Sequence, residues 1–173
     1  MNLTSKKRQV FLSHSGRDAH RATELAATLE QRLAELGDQI EVFNTSEPEH
    51  RYKDLRELLT AGQDWWARAE MYEDELRAYL TEKLEESSAF LSLVTPNSLT
   101  AASKVIEFEI ETARSVAMRE QMAFFFPCVT AGASLRDLPP GAMEFQGVDL
   151  DAEEGLTRLA DAVHRALSKN ADA

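Results

Sequence analysis

Apolar positions along the chain keep two rhythms. Gln9-Val10-Phe11-Leu12-Ser13 is a short apolar run of strand length that gives out at His14-Ser15-Gly16. From about Asp18 the rhythm lengthens to a helical one, with Ala22, Leu25, Ala26, Leu29, Leu33 and Leu36 on one face. Ser15 or Asp18 is placed to cap that helix and Gly37 to stop it. Gln39–Phe43 alternates polar and apolar, as a second strand does. Thr45–Glu49 reads as loop, Tyr52, Leu55, Leu58 and Leu59 as two helical turns, and Gly62 as a break. Asp64-Trp65-Trp66 then opens a helix carrying Tyr72, Leu76, Tyr79, Leu80 and Leu84, which ends near Glu86-Ser87-Ser88. Trp65 and Trp66 fit either core aromatics of that helix or a lid over a planar ligand.

Ala89–Val94 is apolar enough for a central strand covered on both faces. After Thr95-Pro96-Asn97 a helix places Ile106, Ile110, Ala113 and Ala117 on a buried face, with Glu109 beside it. Met122–Val129 reads as a fourth strand with a turn or edge near Pro127, and Phe145–Asp149 as a short fifth. The last helix carries Leu156, Leu159, Ala160, Val163 and Leu167, with Asp151 and Glu154 as a capping pair and a frayed end over Ser168–Ala173. Strands alternating with helices imply an α/β domain with a parallel sheet covered on both faces. The expected fold is flavodoxin-like and doubly wound, with five strands in the order 2-1-3-4-5. It forms a single domain over 1–173, with its core at about 8–168 and an enlarged loop and helix region at 44–87.

In such sheets ligands bind beyond the carboxyl ends of the strands, where strand order reverses. Here that crevice lies between Ser13-His14-Ser15-Gly16 and Thr95-Pro96-Asn97, and Glu109 is within reach of it. The turn suits an anion. Ser13, His14 and Ser15 carry donors, Gly16 admits close backbone approach, Arg17 is a permanent cation, and the helix start offers N–H groups. An ordinary strand-to-helix turn with local caps accounts for the same residues, and the spaced glycines of a dinucleotide fingerprint or P-loop are missing. Glu109 is one of four nearby acids. Glu107 and Glu111 suit solvent, Glu120 lies further on, and periodicity alone leaves Glu109 between the core edge and the crevice.

Composition narrows the classes. The 173 residues are 43% hydrophobic and 28% charged, which suits an ordinary globular chain. A net charge of −11 argues against general nucleic-acid binding and against anionic membrane surfaces. No apolar stretch reaches the roughly 18–20 residues of a membrane span, and the basic start, Lys6-Lys7-Arg8, lacks a signal-peptide core. The expected location is cytoplasmic. The single cysteine, Cys128, lies in an apolar run and reads as a buried structural thiol. His14, His20, His50 and His164 show no metal-ligand spacing.

Four blocks together resemble a Toll/interleukin-1 receptor (TIR) domain, and the bacterial members in particular. They are Val10–Ser15, Ala61–Trp65, Leu91–Ser98 and Ser103–Ile110, in the family's order. The resemblance implies a flavodoxin-like fold and a choice between two activities: cleavage of NAD+ between nicotinamide and ribose, or self-association as a signalling adaptor. In the enzymes a glutamate follows a pattern like Ser-x-Trp-x-x-x-Glu. Here that register gives Ser103, Val105 and Glu109, with Val105 in place of the aromatic. By the same resemblance Ser13, His14, Ser15, Gly16 and Arg17 line the ribose–phosphate side, and Gly62, Asp64 and Trp65 close over nicotinamide. NAD+ is then substrate and no cofactor or metal is called for. The implied partners are other TIR domains, as a homo-oligomer or filament on activation in bacterial immune signalling, and a fused or partner sensor domain. A nucleoside-processing transferase, which would also set a carboxylate beside ribose, is the third reading.

Overall fold

A computed structural model describes residues 9–44, 73–100, 109–115, 125–134, 136 and 147–171. Five parallel strands form one sheet: β1 (Gln9–Ser13), β2 (Glu41–Phe43), β3 (Ser87–Val94), β4 (Phe125–Val129) and β5 (Val148–Asp149). Their order is β2-β1-β3-β4-β5, the order read from the alternating elements. The helices are α1 (Ala19–Glu35), preceded by a 3-10 turn at Gly16–Asp18, α2 (Glu73–Glu85), the short α3 (Pro96–Thr100), a helical stretch at 109–115 (α4), and α5 (Gly155–Ala171).

The strand alternation divides the core in two. Val10, Leu12, Ala89, Leu91, Leu93 and Cys128 turn to one face, where Leu29 and Leu33 of α1 and Leu159 and Val163 of α5 cover them. Phe11, Phe43 and Phe90 turn to the other, against Leu80 and Leu84 of α2 and Ala113 of α4. Phe11 is the hub of that second face, 5.1 Å from the Phe43 ring and 5.7 Å from the Phe90 ring. Contacts of this kind add about 0.5–1.5 kcal/mol beyond area burial. The aromatic floor lies directly under Ser13, the next residue of β1 to face the same way.

Several boundaries differ from the sequence reading. α1 stops at Gly37, whose φ of +92° suits glycine, but Leu36 is exposed rather than on the buried face. β2 is shorter than Gln39–Phe43, because Asp38 N–H still donates back to Leu33 O at 2.9 Å and closes the helix. The Glu30 carboxylate then accepts from Val42 N–H at 2.7 Å on this edge strand. β3 begins earlier than Ala89. An irregular register between Gln9 and Val10 admits Ser87, whose hydroxyl accepts from Gln9 Nε2 at 3.0 Å. Pro127 lies inside the sheet opposite Ser92, but β5 pairs only with Cys128 and Val129, so β4 has one neighbour there.

Asp151 and Glu154 are not a capping pair. The Asp151 carboxylate instead accepts from Thr130 Oγ1 at 2.6 Å and Ala131 N–H at 2.7 Å, tying the chain after β5 to the end of β4. Glu154 has a φ of +63° outside the helix. α5 runs on to Ala171, through most of the segment expected to fray. Cys128 is a buried free thiol, its pKa pushed up to about 12 by burial. Among the described residues no helix is long and apolar enough to cross a membrane. Residues 45–72, 101–108, 116–124 and 137–146 fall outside the described residues. With the first two segments go the expectations for Tyr52 to Leu59, Gly62, Asp64, Trp65, Trp66, Ser103, Val105, Ile106 and Glu107. With the last two go Ala117, Glu120, the start of the fourth strand at Met122 and that of the fifth at Phe145.

Candidate active site

Strands β1 and β3 are neighbours, so their carboxyl ends meet at the switch point, with Ser13 opposite Ser92. A helix that follows a strand in such a sheet runs back antiparallel to it, with its first turn at the carboxyl edge. On α4, Ala113 packs on the Phe11–Phe90 floor. Glu109, one helical turn earlier, is therefore carried toward the edge where Ser13 sits.

The two residues meet. Ser13 Oγ donates to Glu109 Oε2 at 2.5 Å, joining positions 96 residues apart. Ser13 is 1% exposed and Glu109 4%. Burial pushes the Glu109 carboxyl up to a pKa of about 7, against the opposing pull of the Ser13 hydrogen bond. The helix is turned further than periodicity suggests, with Glu109 buried and Ile110 only partly so.

A second link closes the same crevice. Asp18 is 3% exposed, and its carboxylate accepts from Thr95 Oγ1 at 2.6 Å and Asn97 Nδ2 at 2.8 Å. Thr95 Oγ1 in turn accepts from the N–H groups of Asn97 (3.1 Å) and Ser98 (3.2 Å), which caps α3. Asp18 is thus no local cap for α1, and it makes no side-chain capping bond there. Local patterning favours a cap at such an aspartate, and the signal for the actual contact was the polar Thr95-Pro96-Asn97 at the facing strand end. Asp18→Ala removes both acceptors from a buried site. It is expected to cost about 2–4 kcal/mol in urea unfolding; a loss below about 1 kcal/mol would mean that the link does not hold the two strand ends.

The other turn residues are disposed differently from one another. His14 is half-buried; its Nδ1 lies 2.9 Å from Ser15 O, and burial is the main influence lowering its pKa. Ser15 is buried and its hydroxyl accepts from Arg17 N–H at 3.4 Å, while Ser15 O accepts from Asp18 N–H at 2.8 Å. Two N–H groups that could have served an anion are therefore engaged within the turn. Gly16 and Arg17 are exposed, and nothing lies within 4 Å of where a Gly16 side chain would begin. The structure thus brings Ser13 and Glu109 together, leaves Arg17 exposed on the turn after β1, and does not describe Gly62, Asp64 or Trp65. An open groove of about 420 Å³ lies on the other sheet face, floored by Leu25, Leu93, Leu150 and Leu156. Its rim residues Arg21, Glu24, Thr28 and Asp151 are exposed, and it has no part in the Glu109 site.

No family model matches the sequence, and no curated protein is significantly similar to it. Solved structures do match. The crystal structure of the RPS4 and RRS1 TIR domain heterodimer aligns over 92% of this chain and 98% of its own, with a TM-score of 0.51 and 9% sequence identity. At that identity the likeness is one of fold: the chain has the architecture of a TIR domain.

Proposed function

We propose that this chain is a TIR-type NAD+ glycohydrolase in which Glu109 is the catalytic carboxylate. The observation that carries the reading is the position of Glu109: a buried acid, set at the carboxyl ends of β1 and β3, in the crevice where this fold takes its ligands. Nicotinamide in NAD+ is already a cationic leaving group, so no acid is needed to protonate it. The C1′–N bond breaks with its electron pair passing to the nicotinamide nitrogen, and the ribose is left oxocarbenium-like. An ionised Glu109 stabilises that cation electrostatically or orients the ribose hydroxyls. Water then bonds to C1′ and loses a proton, giving ADP-ribose; an internal adenine nitrogen or ribose hydroxyl gives a cyclic product. Arg17, exposed on the turn after β1, supplies charge for the diphosphate, with His14, Ser15 and Gly16 along the same side. Gly62, Asp64 and Trp65 keep the nicotinamide side by resemblance.

Self-assembly with other TIR domains, under the control of a sensor in a cytoplasmic immune pathway, fits the same reading. A neighbour in fold space is itself a heterodimer of TIR domains. That neighbour also favours a second reading, a non-enzymatic interaction module, as does Val105 where the enzymes carry an aromatic. An NAD+ consumption assay at high protein concentration, with a crowding agent to promote assembly, separates the two. Release of nicotinamide by the wild type supports the enzyme. Persistent inactivity of the assembled protein leaves the interaction module.

A further inference from the structure

Ser13 carries one hydroxyl proton and is 1% exposed. That proton is directed at Glu109 Oε2, 2.5 Å away, so it is not available to a ligand at the mouth. The hydroxyl is held from below by the last residue of a buried strand and the carboxylate by a helix that packs on the Phe11–Phe90 floor. From this geometry we infer that Ser13 is a positioning residue for Glu109: it fixes one carboxylate oxygen at the carboxyl end of β1 and favours the ionised form. The inference deepens the NAD-cleaving reading and rests on it for the word positioning, because Ser13 acts through Glu109 rather than on substrate.

Among the described residues, few charged groups compete for that carboxyl. From the β1 turn, Asp18 is turned to Thr95 and Asn97, His14 lies against Ser15 O, and Arg17 is exposed. On α4 itself, Glu111 and Arg114 are exposed. On α2, Lys83 is engaged with Glu86 at 2.6 Å. Burial raises the Glu109 carboxyl and the Ser13 hydroxyl opposes that rise.

The test compares wild type, Ser13→Ala and Ser13→Thr by two readouts, with thermal melting to show that each variant is folded. The first is the Glu109 carboxyl titration, followed by NMR of protein carrying carboxyl-labelled glutamate and assigned with Glu109→Gln; it needs no activity. The second is the pH profile of nicotinamide release. In Ser13→Ala the titration midpoint and the rising limb of kcat should both move up by about one pH unit or more. At pH 7 kcat should fall about fivefold for a one-unit shift and about fiftyfold for two units, with KM within about twofold. Ser13→Thr, which keeps the hydroxyl, should restore both. An unmoved carboxyl midpoint in Ser13→Ala overturns the inference, as does a rise in KM with an unmoved limb, which would make Ser13 a substrate contact. If the wild type releases no nicotinamide, the enzyme reading fails by itself, and the carboxyl titration still decides whether Ser13 governs Glu109.

Discussion

Glu109→Gln is expected to lower NAD+ cleavage at least about a thousandfold while leaving the fold intact. Glutamine keeps the size of the side chain and an oxygen that can accept from Ser13, so the bond between β1 and α4 survives in a neutral form. What is lost is the negative charge opposite a ribose cation that exists only near the transition state. A group that acts there and hardly at all on the bound substrate changes kcat and leaves KM nearly alone. A low-dielectric surrounding raises the value of the charge, and Glu109 is 4% exposed. A thousandfold loss corresponds to about 4 kcal/mol, within what one well-placed electrostatic group supplies. The measurement is nicotinamide release at saturating NAD+, with far-ultraviolet circular dichroism to confirm folding. A variant that keeps more than a tenth of wild-type activity would place the chemistry on another residue. In the wild type the rate should also climb with pH through about 7, as the carboxyl ionises.

The elements bearing this site were legible in the sequence to different depths. β1 was complete at once, because an apolar run that ends in His14-Ser15-Gly16 has a sharp boundary on either reading. Alternation and handedness restricted the sheet to a doubly wound topology, and the order 2-1-3-4-5, one choice among those they allow, is the order observed. Ser87 was missed at the start of β3, since a serine pair after a helix looks like a loop until Gln9 is seen to bond it. Periodicity left Glu109 between the core edge and the crevice for a deeper reason. It weighs apolar side chains, so it centred the buried face on Ile110. It has no means of seeing that a serine 96 residues away will accommodate a carboxyl in the core. Of the two caps the sequence offered, Ser15 makes the capping bond, to Arg17 N–H, while Asp18 is drawn instead to two polar groups across the crevice. Local propensity yields to a distant partner where the partner is buried, and both cases lie at the switch point.

Glu109 should also destabilise the folded protein increasingly as pH rises from about 4.5 to about 7. In the unfolded chain its carboxyl releases a proton near its ordinary 4.5; in the folded chain it holds the proton until about 7. Between those values the folded state binds more protons than the unfolded state, so the slope of stability against pH is negative. Below the window both states are protonated and the residue contributes nothing; above it both are ionised and the penalty is complete, on the order of 3 kcal/mol. Glu109→Gln has no proton to hold. Urea unfolding of both proteins across pH 4 to 8.5 should give a difference curve that is flat in acid, moves in favour of the variant through the window, and levels above it. Other titrations cancel in the difference, and the weaker bond from Ser13 to a neutral amide shifts the whole curve without bending it. A difference independent of pH would mean that Glu109 ionises in the fold as it does in water, and would overturn the argument from burial. The same penalty suits the proposed chemistry: a cationic nicotinamide entering the site would favour the ionised carboxylate and offset part of that cost.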